Sequence, residues 1–105
     1  MASVKLTELR LTPVAVKDLT NIWIYTTDKW SLAQADRYID ALNDTFQTLL
    51  EMPEIAREWT EFDPKVRIHP SGQHVVVYQI SQEALEVVRV LDGQQNWQAI
   101  LKIGQ

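Results

Sequence analysis

The sequence predicts an α+β domain in which a helical hairpin lies on one face of a mainly antiparallel sheet. Two consecutive stretches, residues 13–29 and 31–52, repeat apolar side chains every three or four positions, the spacing of helices with one buried face. From residue 65 to 91 the chain turns to β-branched residues broken by two short turn sequences, which reads as three strands. A length of 105 residues, with 46% hydrophobic and 23% charged residues, suits a single domain, 1–105, around one core. The element order is β-α-α-β-β-β, closed by a short helical C-terminal segment.

Residues 4–11 alternate, with Val4, Leu6 and Leu9 or Leu11 set among polar residues, as in a short strand with room for a bulge. Thr12 then offers an N-cap and Pro13 fits the first helical position, where a missing N–H is harmless. Val16, Leu19, Ile22, Trp23 and Trp30 form the apolar stripe of the first helix. The second opens on Ser31-Leu32-Ala33-Gln34, a capping-box pattern. Its stripe is Ala35, Tyr38, Ile39, Leu42, Phe46, Leu49 and Leu50, and Pro53 stops it. Residues 54–64 read as a loop carrying Trp59 and Phe62 across the core edge. Strands follow at 65–69, 74–80 and 84–91. In the tail, Trp97, Ile100 and Leu101 share one side of a final helical turn or two.

Net charge is −4 and the isoelectric point about 5.0, so a general electrostatic grip on nucleic acid is not expected. The absence of cysteine excludes disulfides and thiolate zinc sites, and two histidines do not make a metal set; neither metal nor cofactor is expected. No long apolar run marks a leader or membrane span, and a cytoplasmic protein is expected.

Strand register sorts the side chains into faces. With residues 70–73 as a four-residue loop, His69 faces His74, Arg67 faces Val76 and Lys65 faces Tyr78. With Ile80 opposite Leu85, Tyr78 faces Val87, Val76 faces Arg89 and His74 faces Leu91. Directly opposed residues share a face. One face then carries Val66, Ile68, Val75, Val77, Val88 and Val90, the expected seat of the helices. The other gathers Lys65, Arg67, His69, His74, Tyr78 and Arg89. A solvated sheet face is ordinarily polar, but converging cations also suit a phosphate or carboxylate partner.

Several segments, taken together, resemble the ParE/RelE toxin superfamily, and ParE more closely. They are the Asp18-Leu19 pair followed by Trp23 and Tyr25; the helix with Trp30, Ala33, Ala35, Tyr38 and Leu42; Arg67, Pro70, Gly72, His74 and Tyr78 in an R-x-x-P-x-G-x-H-x-x-x-Y pattern; and Val87, Arg89, Val90 and Leu91. The resemblance covers nearly the whole chain. It implies a RelE/ParE-like fold and the toxin of a type II toxin–antitoxin system, an agent of growth inhibition and plasmid maintenance that inhibits DNA gyrase by binding. It also implies a cognate antitoxin, ParD-like or similar, assembled with it into an oligomer, and contact with nucleic acid only through that antitoxin.

The RelE branch implies an alternative, a ribosome-dependent mRNA endoribonuclease, for which Lys65, Arg67, His74 and Arg89 are the candidate catalytic residues. Cleavage through a 2′-hydroxyl needs a base, an acid and stabilisation of the phosphorane. The tail lacks the Arg and Tyr of the nuclease pattern, and Lys102 is the only cation after Arg89. An inactivated member that only binds antitoxin is a further alternative. Many ParE sequences have His where this chain has Asp92, a carboxylate placed to pair with Arg89 or His74. On the gyrase reading, the six-residue sheet face binds a partner, and Trp97, Ile100 and Leu101 are a possible gyrase-binding segment.

Overall fold

The computed structural model describes residues 6–103; Val4 of the expected first strand lies outside them. The elements run β1 (Glu8–Leu11), α1 (Pro13–Lys29), α2 (Leu32–Glu51), β2 (Glu58–Trp59), β3 (Val66–Ser71), β4 (His74–Ser81), β5 (Ala84–Asp92) and α3 (Trp97–Ile103). The sheet order is β1-β5-β4-β3-β2. β1 runs parallel to β5 and every other pairing is antiparallel. The fold class is the expected one, with β2 added at the edge.

Local chemistry sets the helix ends. Thr12 Oγ1 accepts the Ala15 N–H and Pro13 opens α1. Ser31 Oγ accepts the Gln34 N–H, while Gln34 Oε1 accepts from Arg37 rather than closing a reciprocal box. Ala35, Leu42, Phe46 and Leu49 of α2 are buried, as are Ala15 and Ile22 of α1. Val16, Trp23 and Trp30 are exposed, Trp30 to 70%. Their seven-residue spacing makes a separate apolar line beside the core stripe, and the Trp23 indole N–H donates to the Asp36 carboxylate of α2 (3.1 Å). No helix among the described residues is long and apolar enough to cross a membrane.

The sheet departs from expectation in two ways. The first hairpin turns through only Gly72 and Gln73, so Arg67 faces Tyr78 and His69 faces Val76. This two-residue shift preserves which residues share a face on β3 and β4. Along β5 the expected register holds from Ser81–Ala84 to Tyr78–Val87, and then Val88 is left unpaired as a bulge. Beyond it Val77 faces Arg89, Val76 faces Val90 and His74 faces Asp92. The extra residue reverses the alternation: Val90 joins Val76, and Leu91 joins Val75 and Val77.

The face under the helices is the opposite of the one expected. Val76, Tyr78, Leu85, Val87 and Val90 pack with Ala15, Ile22, Leu42 and Phe46 in one core. The purely apolar face, with Val66, Val77 and Leu91, packs in a second core with Phe62 and Leu101, flanked by Trp59, Trp97 and Ile100. Both faces are covered, which is why the consecutive residues Val76, Val77 and Tyr78 are each fully buried. An apolar face alone therefore did not identify the helix side.

Removing Leu101 beyond Cβ should cost about 2 kcal/mol or more if α3 closes the second core. Urea denaturation of Leu101→Ala checks this, and an unchanged midpoint contradicts it. Val77→Asp, an uncompensated buried carboxylate, should cost on the order of 3–5 kcal/mol and leave little folded protein by circular dichroism.

Candidate functional site

β5 continues past the end of β1, whose last pairing is Leu11 with Val87. The exposed edge is taken over by the start of α1. The Thr12 N–H donates to Val87 O (3.0 Å) and the Thr12 hydroxyl to Val88 O (2.8 Å). Six residues on, the Asp18 carboxylate accepts the Val90 N–H (3.0 Å) and both Arg89 Nε (2.8 Å) and Nη2 (3.0 Å). The ion pair is largely shielded, with side-chain exposures of 26% for Arg89 and 12% for Asp18. The hydrogen bond that Arg89 donates to Asp18 raises the Arg89 pKa, against the opposing effect of burial.

Beside this pair lies an open cleft of about 700 Å³ between the C-terminal half of α1, the start of α2, the β3–β4 turn and the end of β5. Tyr38 forms its floor. The phenol oxygen accepts the Gln73 N–H (3.0 Å), lies 2.6 Å from His74 Nδ1 and reaches Ser71 O at 3.5 Å. The Tyr38 and His74 rings meet edge to face at 5.4 Å. Gly72 in the turn has φ +59°, and a Cβ there would lie 2.8 Å from the Tyr38 oxygen. Glycine is thus required by backbone and neighbour together. Thr45 Oγ1 adds a 2.7 Å hydrogen bond to Ser71 Oγ, tying α2 to the same hairpin.

Burial lowers the His74 pKa below its ordinary value near 6.5, an effect opposed by Asp92 and Asp18. Burial also raises that of Tyr38. Burial thus favours the neutral imidazole, whose Nδ1 shares a 2.6 Å hydrogen bond with the Tyr38 hydroxyl. Asp92, opposite His74, accepts the Gln94 N–H at Oδ1 (2.9 Å).

The six residues expected on one cationic face do not assemble there. His74 and Arg89 line the large cleft. Lys65, Arg67 and Tyr78 line a separate recess of about 90 Å³ near β2. There Arg67 Nη1 donates to Ala56 O (2.6 Å), and Tyr78, fully buried, donates to Pro53 O (2.8 Å). His69 is half-buried, with Nδ1 lacking a hydrogen-bond partner among the described residues. The face is divided because it lies under the helical hairpin. In the tail, Leu101 is buried, Ile100 is half-buried, and Trp97 meets Trp59 edge to face at 5.3 Å. Tyr38 looked like one more stripe residue, because its partners arrive from a turn 35 residues on. Asp92 pairs in register with His74, and Arg89 takes Asp18 instead.

Two measurements probe this geometry. His74 binds protons more weakly in the folded chain, so its contribution to stability is complete above pH 6.5 and declines as pH falls from there through the lowered folded value. Thermal stability should drop on acidification through that window, and less so in His74→Gln; equal slopes would contradict a buried neutral imidazole. Asp18→Ala should cost about 1–3 kcal/mol, and more than Arg89→Ala, because only Asp18→Ala also orphans the Val90 N–H. Chemical denaturation of both variants decides the order.

The family model described as ParE toxin of type II toxin-antitoxin system, parDE, matches residues 9–97. Toxin ParE1 of Mycobacterium tuberculosis is 34% identical over 82 residues, covering 77% of this chain and 84% of that protein. Toxin ParE1 of Caulobacter vibrioides is 33% identical over 92 residues, covering 88% and 95%. The same fold occurs in a solved structure of the chromosomal ParDE TA system from P. aeruginosa, with a TM-score of 0.71 at 13% identity over 83% of this chain and 96% of that one. The match takes in the sheet and both long helices, and the chain belongs to the ParE toxin family of type II toxin–antitoxin systems.

Proposed function

We propose that the protein inhibits DNA gyrase in the bacterial cytoplasm by binding it, and that an antitoxin encoded beside it neutralises it. The observation that carries the binding reading is the dispersal of the candidate nuclease residues. Arg89 is held on Asp18, Arg67 on a backbone carbonyl in a different recess, and His74 Nδ1 on Tyr38. Phosphoryl transfer needs an acid, a base and a charge-stabilising donor around one phosphate, and no such convergence is present among these residues. The chain instead offers apolar contact surface. Along α1 and into α2, Val16, Ile24, Tyr25, Trp30 and Leu32 are each about half exposed or more, and exposed apolar groups rimmed by polar residues suit a protein partner.

The antitoxin is expected to cover part of the helical hairpin with an amphipathic segment that folds on binding. Trp97, Ile100 and Leu101 contribute by holding the second core, and through it the tail, in place.

The test is a paired assay. Purified protein added to gyrase, relaxed plasmid and ATP should suppress supercoiling, while mRNA on ribosomes stays intact. Normal supercoiling together with cut mRNA would replace this reading with the endoribonuclease one. Trp30→Ala should weaken antitoxin binding by about tenfold or more, a loss of roughly 1.4 kcal/mol, with thermal stability unchanged; calorimetry reads it.

A further inference from the structure

The large cleft has an electrostatic character opposite to that expected from the sequence. Its one arginine is spent, because Arg89 Nε and Nη2 both donate to Asp18 and the two charges cancel. His74 has Nδ1 engaged with Tyr38. Among the residues that line the cleft the charge left over is that of Asp92, whose Oδ1 takes the Gln94 N–H. The same cleft is lined by exposed aromatic rings, Tyr25 at 62% and Trp30 at 70%, and by Asn21, Gln94 and Gln95. Tyr25 already attracts one cation within the chain, with Lys29 Nζ 5.7 Å from its ring centroid. Carboxylate, aromatic faces and amide oxygens together are the chemistry that recognises a cation.

We propose that this cleft is a socket for an arginine side chain presented by the antitoxin. Arginine fits better than lysine because a planar guanidinium can stack on an indole face while its N–H groups address a carboxylate and amide oxygens. An acidic segment would meet Asp92 with no uncommitted arginine to offset it. The naming of the antitoxin as donor rests on the toxin–antitoxin reading; the preference for a guanidinium does not. The groups facing His74 are Tyr38 from α2, Asp92 across the strand pair and the Asp18–Arg89 pair from α1 and β5. Protonation of His74 adds a positive charge beside the socket, so uptake of arginine should strengthen from pH 5.5 to 7.5.

The experiment titrates nitrogen-15-labelled protein with N-acetyl-arginine methylamide, its neutral isostere N-acetyl-citrulline methylamide, and N-acetyl-glutamate methylamide, following the Trp30 indole N–H by nuclear magnetic resonance. The arginine probe should move that resonance saturably, with the citrulline probe about tenfold weaker. Asp92→Asn, which keeps an oxygen for the Gln94 N–H, should remove that preference without changing thermal stability. No response to the arginine probe, an equal response to the citrulline probe, or a stronger response to the glutamate probe overturns the socket. Antitoxin that binds wild type and Asp92→Asn equally overturns its assignment to the antitoxin. A protein that takes up the arginine probe but ignores the antitoxin encoded beside it overturns the toxin reading and leaves the socket standing.

Discussion

The Asp18 carboxylate is the point on which the architecture turns. β1 has four residues and β5 has nine, so among the described residues about half of β5 has no strand on its outer side. Unpaired strand edges are left to water or to other chains unless something covers them. Here α1 covers it, with Thr12 taking the first positions and Asp18 the next. The same carboxylate neutralises Arg89, the charge that the β5 bulge brings toward α1. One side chain thereby fixes the seating of α1 on the sheet, satisfies a backbone donor and removes a cation from the surface.

That internal neutralisation shapes what the molecule can offer a partner. A shielded, bidentate pair leaves little charge for a phosphate or carboxylate to find. What remains accessible beside it is aromatic, amide and weakly anionic. Tyr38 reinforces this by holding both His74 Nδ1 and the Gln73 N–H, which anchors the hairpin turn to α2, while burial favours the neutral imidazole. The cleft is thus built from the contacts that hold the hairpin and the helices together, so its shape and the stability of the fold are linked.

The second core makes the sheet a middle layer. α3 has seven residues, too few to be stable alone in water. It is held by packing: Trp97 on Trp59, with Leu101 in a cluster with Phe62 and Val66. Arg57 adds its guanidinium over the Trp59 ring at 4.1 Å. Residues that look like a ready apolar binding surface in the sequence act here as the lid over one face of the sheet.

Local signals in the chain set the helices and much of the strand plan. Residues 13–29 match α1 because Thr12, Pro13 and a 3.6-residue period are local signals, and Ser31 caps α2 for the same reason. The second hairpin was legible from its turn as far as Tyr78 opposite Val87. The bulge at Val88 emerges only on packing, since one extra residue reverses every later side chain and leaves no compositional mark. Packing also decides which face the helices take, because both faces are apolar enough to be buried. The pairings of Asp18 with Arg89 and of Tyr38 with His74 belong to the same class. They join groups 71 and 36 residues apart, and no periodicity within a helix or a strand encodes a contact that exists only once the two are packed together.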